Sequence, residues 1–175
     1  MYAPSSIVLP ESWHNQNPDA YQSSWTYKGE PIPFAPIEPL SGPSVSAYST
    51  YFTPLLRDSI GLNHYGIPVD NIVCPVQLIS GKDDQFWPSS TMAEMIKSRM
   101  RRNPDVLVFH DSYEGVGHQF LFFGDDPIGK VILEEAIENQ DAKFHFNLGG
   151  SEAAMWAGMI RGRDRSIYFL NKVKL

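Results

Sequence analysis

Between Ile72 and His110 the hydrophobic period of the chain changes twice, and this alternation constrains the fold more than any other feature. Ile72-Val73-Cys74-Pro75-Val76-Gln77-Leu78-Ile79 is a short apolar, β-branched run ending at Ser80-Gly81, the texture of a strand buried on both faces. Met92, Met95, Ile96 and Met100 then recur at helical spacing through Arg102, Thr91 and Glu94 stand as a capping box would place them, and Asn103-Pro104 stops the segment. Val106-Leu107-Val108-Phe109-His110 reads as a second strand. Strand, helix and strand at this spacing make one βαβ unit, whose strands are parallel and joined right-handedly. The expected class is α/β, with a short parallel sheet flanked by helices.

The rest of the chain is read around that unit. Asp125-Asp126-Pro127 opens a helix to about Gln140, with an acidic cap and a proline in its first turn. A last helix starts near Gly149-Gly150-Ser151, with Trp156, Ile160, Ile167 and Leu170 as its expected inner face. Upstream, eight of the 14 prolines fall between Pro10 and Pro54, among Trp13, Trp25 and many Ser and Tyr residues. Proline at that density breaks helices and ladders while the aromatics supply something to bury, so residues 1–68 read as an ordered, lid-like covering segment and 69–175 as the strands and C-terminal helices of one partial domain.

Composition removes several classes of function. A formal net charge of −6 and a pI near 5.3 leave no basic face to attract nucleic acid. Lys97, Arg99, Arg101 and Arg102 form the one basic cluster, read as a solvated helix end. Cys74 is the single cysteine; with no disulfide to form and no secretory leader at Met1-Tyr2-Ala3-Pro4, a reducing, cytoplasmic setting is expected. Beside Pro75 it reads as a small buried hydrophobe rather than a nucleophile. No apolar run approaches the roughly 20 residues that span a bilayer, and no His or Cys pair has metal-ligand spacing. No cofactor is expected.

The chemistry-bearing residues lie where the two strands end. In parallel sheets ligands bind beyond the carboxyl ends of the strands. Asp83 and Asp84 follow the first strand in Gly81-Lys82-Asp83-Asp84-Gln85-Phe86-Trp87-Pro88-Ser89-Ser90, and His118 follows the second in Gly115-Val116-Gly117-His118. An acid there can hold an imidazole in one tautomer and stabilise the imidazolium formed when it takes a proton from a nucleophile. Gly115 and Gly117 give the backbone the freedom to bring His118 over the strand ends. His110, at the end of its strand, reads as a satisfied core or edge histidine, and His14, His64 and His145 as surface residues. No G-x-S-x-G nucleophile elbow occurs in the 175 residues.

Gly81 to Ser89 together with Gly117-His118 resembles the C-terminal catalytic domain of the acyl-CoA thioester hydrolase and bile acid-CoA:amino acid N-acyltransferase family. Tyr2-Ala3-Pro4-Ser5-Ser6-Ile7-Val8, Ser23-Ser24-Trp25-Thr26-Tyr27-Lys28-Gly29 and Phe146-Asn147-Leu148-Gly149-Gly150-Ser151-Glu152-Ala153 resemble further stretches of its members. The resemblance implies the C-terminal portion of an α/β-hydrolase fold with a Pro-rich cover, and an acyl-CoA thioester as substrate. The family's acid maps to Asp84 and its histidine to His118, 34 residues later; Trp25 and Trp87 become candidate substrate-binding residues. A Ser or Cys nucleophile and the oxyanion-hole loop would lie upstream of Tyr2. The expectation is a fragment inactive alone, which associates with itself or with an N-terminal half. A carboxylesterase or serine peptidase of the same fold, or a non-catalytic assembly module, is the alternative.

Overall fold

A computed structural model describes residues 2–11, 21–37, 49–118 and 148–173. Small antiparallel pairs open the chain: β1 (Pro10–Glu11) with β2 (Gln22–Ser23), and β3 (Thr26–Tyr27) with β4 (Glu30–Pro31). Helices α1 (Ser49–Arg57) and α2 (Leu62–Tyr65) follow, then a 3-10 turn at Val69–Asn71. The βαβ unit is β5 (Val76–Gly81), α3 (Ser89–Met100) and β6 (Val108–Tyr113), and the chain closes with α4 (Glu152–Lys172). The helix expected over 125–140, and His14 and His145, lie outside the described residues.

β5 and β6 pair in parallel, in register from Val76 opposite Val108 to Gly81 opposite Tyr113. Tyr2 bridges Ile79 in parallel on the opposite edge of β5, where the Ala3 N–H donates to the Ile79 carbonyl at 2.8 Å. β5 is therefore an inner strand, which is why its residues are buried almost without interruption while those of β6 are half-buried.

The pleat of the sheet sorts the core into layers. Leu78 faces α3, packing with Ala93, Ile96 and Met100, while its neighbour Ile79 faces α4 and packs with Val116, Met155 and Met159. Side chains of β6 alternate likewise: His110 and Ser112 meet α3 at Glu94 and Ser90, whereas Phe109 and Asp111 meet α4 at Phe169 and Arg165. The proline-rich part has its own apolar cluster, built on Ile7, Leu9, Ala35, Ile37, Phe52 and Tyr65 and joined to α3 through Met92.

Four local expectations are corrected. The first strand starts at Val76, not Ile72: Val73 is 82% exposed and Cys74 is exposed as well, because Pro75 offers no N–H to a ladder and pairing begins only after it. The second strand begins two residues later than expected and runs on to Tyr113, carried by pairing with β5 rather than by an apolar sequence. The capping box does not form, since α3 starts at Ser89 with no side-chain cap and Glu94 turns instead to His110 and Lys97. The buried face of α4 is Met155, Gly158, Met159 and Gly162, with Trp156 at its margin and Ile160, Ile167 and Leu170 exposed. A methyl group on Gly158 would come within 2.7 Å of Val116 Cγ2, so the small residues set how closely this helix approaches the sheet. A reading that searched for large apolar residues picked the wrong face.

Candidate active site

The strand ends meet as their order requires. Beyond Gly81 the chain turns through Asp83 and Asp84 into α3, and beyond Tyr113 it turns through Gly115 to His118. Asp83 N–H donates to the Val116 carbonyl at 3.0 Å, locking the two loops together by backbone. The loops are held from a third side by the segment before α4: the Leu148 carbonyl accepts from His118 N–H at 2.7 Å, and Gly150 N–H donates to Asp83 Oδ2 at 3.0 Å. Gly149 makes this clasp possible. Its φ is +71°, and a Cβ there would sit 1.8 Å from the Asp83 carbonyl oxygen, so no other residue fits without moving the loop.

His118 Nδ1 lies 3.0 Å from Asp84 Oδ2. A carboxylate only accepts, so the shared proton belongs to Nδ1, and in the neutral ring that tautomer puts the lone pair on Nε2. Asp84 Oδ1 accepts from the backbone N–H groups of Phe86 at 3.0 Å and Trp87 at 3.1 Å. The acid is thus fixed through one oxygen and presents the other to the ring. Exposure follows the same division: the Asp84 side chain is 1% exposed and that of His118 is 16% exposed. Nε2 has no hydrogen-bond partner among the described residues.

Of the two acids left open by the residues alone, the structure brings Asp84 to the imidazole and gives Asp83 to the Gly150 clasp. Phe86 and Trp87 flank the ring, with centroids 4.7 Å and 4.3 Å from that of His118, the indole nearly perpendicular to it. The Trp87 indole N–H donates to the Ala3 carbonyl at 3.1 Å, which ties this wall to the N-terminal segment. Trp87 also lines an apolar hollow of about 660 Å³ with Ala3, Ile7, Val8 and Ile32, and Trp25 stands on the same hollow. The two tryptophans singled out in the sequence therefore share one cavity, a wall of which touches the imidazole.

A second carboxylate–imidazole pair was not foreseen. His110 Nδ1 is 2.6 Å from Glu94 Oε1 and its Nε2 is 2.8 Å from Ser80 Oγ, which gives the outline of an acid, base and hydroxyl in line. Ser80 is fully buried and is also 3.2 Å from Ser112 Oγ, so its hydroxyl faces no substrate; the cluster ties α3 to the sheet. Alternate polar residues in β6 were the available signal. His64 is exposed at the end of α2 and touches neither pair.

Among the described residues no helix is long and apolar enough to cross a membrane. No curated protein matches the sequence. The family model for the BAAT / acyl-CoA thioester hydrolase C-terminal domain matches residues 21–147, well over half of the chain and inclusive of both Asp84 and His118. With its parallel strands, the helices on either side and the acid and imidazole at the strand ends, the chain belongs to the BAAT / acyl-CoA thioester hydrolase C-terminal family, an α/β-hydrolase-type domain.

Proposed function

We propose that Asp84 and His118 are the acid and base of a nucleophile-His-Asp relay acting on an acyl-CoA thioester, and that the nucleophile comes from a polypeptide segment outside these 175 residues. The observation that carries the reading is the 3.0 Å bond between a buried, backbone-anchored carboxylate and an imidazole whose other nitrogen has no hydrogen-bond partner among the described residues. His118 Nε2 takes the proton of a Ser or Cys as it attacks the thioester carbonyl, and Asp84 stabilises the resulting imidazolium. The tetrahedral intermediate expels the CoA thiolate, which receives that proton. Water, or the amine of an amino acid, then attacks the acyl-enzyme with His118 again as base, giving a free acid or an N-acyl amino acid.

The hollow beside Trp87 is assigned to the acyl chain. Its lining is apolar, it lies one ring away from the imidazole, and its volume falls in the range of ordinary ligand sites. Each methylene that enters contributes about 0.8 kcal/mol, so binding should tighten about fourfold per added carbon until the hollow is full. Trp87→Ala and Trp25→Ala should flatten that series.

Release of CoA thiol from acyl-CoA tests the relay. The 175 residues alone should show negligible turnover. Joined to a polypeptide bearing a G-x-S-x-G elbow, they should hydrolyse the thioester, and His118→Ala should remove that activity by a factor on the order of 10⁴. Turnover by the chain alone, abolished in His118→Ala, would place the nucleophile inside it and overturn the proposal.

A further inference from the structure

Loops beyond the end of a sheet have no ladder to hold them, yet a proton relay works only when its members keep their alignment to within roughly half an ångström. In the acid loop the Asp84 carboxylate is secured by its own backbone. The base loop is secured from outside, by the arm that leads into α4. The Leu148 carbonyl accepts from His118 N–H, Ser151 N–H donates to the Gly115 carbonyl at 3.0 Å, and the Gly117 nitrogen lies 3.1 Å from the Met155 sulfur. The root of this arm is firm, because Met155 is buried with Ile79 and Val116, and the Ser151 side chain caps α4 by accepting from Ala154 N–H. Contact along the arm is backbone on backbone: a Cβ on Gly117 would stand 2.1 Å from the Gly149 carbonyl oxygen.

The arm also reaches the acid loop. The Leu148 carbonyl that holds His118 takes a second, longer contact of 3.5 Å from the N–H of Gln85, the residue after Asp84. On the other side of Asp84, the Asp83 carboxylate accepts from Gly150 N–H through Oδ2 and from the Gln85 side-chain amide through Oδ1, at 3.2 Å. Asp83 therefore bonds to the base loop through its backbone N–H and to the arm through its side chain. It is an exposed residue, and exposed carboxylates contribute little to overall stability. What its commitment to the arm chiefly fixes is position.

We infer that Asp83 is a positioning residue for the imidazole. By holding Gly150 it keeps the Leu148 carbonyl at His118 N–H, and so keeps Nδ1–H aimed at Asp84 Oδ2. The inference rests on the relay reading for its purpose, while the geometry it concerns exists without substrate or nucleophile.

Nitrogen NMR of the His118 ring in the 175-residue chain, at a pH where the ring is neutral, reports which nitrogen carries the proton, and solvent exchange reports how firmly that proton is held. Wild type should show the Nδ1–H form with a slowly exchanging proton. Asp83→Ala should speed the exchange about tenfold, as for the loss of a hydrogen bond to a charged group, and should mix in the Nε2–H form while the urea midpoint stays close to that of wild type. Asp83→Asn keeps an oxygen for Gly150 and should restore most of the protection. Gly149→Ala, whose methyl group would drive the arm off Asp83, should loosen the ring at least as much as Asp83→Ala. Glu114→Ala breaks the exposed Lys82–Glu114 pair between the same two loops without touching the arm, and should leave the ring as in wild type. Wild-type exchange in Asp83→Ala, an equal change in Glu114→Ala, or no rescue by Asp83→Asn overturns the assignment. These readings are independent of turnover: a chain joined to a nucleophile elbow that hydrolyses no thioester, but whose ring still loosens in Asp83→Ala, refutes the relay and leaves the positioning role standing.

Discussion

The chain carries two carboxylate–imidazole pairs, Asp84 with His118 and Glu94 with His110, and they are built in opposite senses. In the first the acid is buried and the far nitrogen of the ring has no hydrogen-bond partner among the described residues. In the second the acid side chain is 58% exposed, the His110 side chain is 2% exposed, and the far nitrogen is spent on a buried serine. Distance does not separate them, since the structural pair is the shorter at 2.6 Å against 3.0 Å. What separates them is where the relay can discharge. A proton taken by His118 can come from a group entering over the strand ends; the far nitrogen of His110 instead meets Ser80, a buried hydroxyl that is itself bonded to Ser112.

The largest effect expected from this asymmetry is on Asp84. Asp84→Ala removes the acceptor for two backbone N–H groups and an imidazole N–H inside the fold, and should cost about 3 kcal/mol in chemical denaturation. Glu94→Ala removes an exposed acid and should cost less than about 1 kcal/mol. Equal losses would mean that water reaches Asp84 as freely as Glu94, and the comparison would fail.

Next in size is His110→Leu. It should destabilise by about 1 to 2 kcal/mol, because Ser80 loses a partner in a fully buried place while the leucine fills most of the ring's volume. The resonances of the His118 ring should stay where they are. A shift there would show that the two pairs communicate through β5, Ser80 being separated from Asp84 by three residues only.

How much of this was legible depends on which part of the chain carried a local signal. The βαβ unit was readable because Leu78 and Ile79 sit in an apolar run and Met92, Ile96 and Met100 keep a helical period, and Asp84 and His118 were readable because such a unit delivers its loops to one end. The burial of α4 was not, since Gly158 and Gly162 act by the absence of a side chain and leave no hydrophobic pattern. Nor was the role of Glu94: on its own helix it stands as a capping residue would, and only the register of β6 brings His110 to it. The clasp of Asp83 on Gly150 spans 67 residues, a separation at which sequence spacing says nothing. Trp25 and Trp87 were paired by resemblance alone, and the hollow they share arises from the path of the N-terminal segment between them.

The smallest effect is a dependence on pH that belongs to the second pair. The Glu94 carboxyl is held below its ordinary value of 4.5, first by the hydrogen bond with His110 and then by that with Lys97, against the opposing pull of partial burial. A value lowered in the folded chain means that folding favours the ionised form. The stability this contributes is complete above 4.5, the unfolded value, and is lost as pH falls through the lower folded value. Glu94→Gln keeps an oxygen that can accept from His110 and discards the charge. Wild type and variant should therefore differ by a constant, less than about 1 kcal/mol, from pH 7 down to about 5, and should converge below that. The gap at neutral pH should also shrink in 1 M salt, where the screening length is about 3 Å. A gap that persists at pH 3 would show that His110 binds Glu94 as a neutral acceptor, and the second pair would then be as independent of charge as any buried amide.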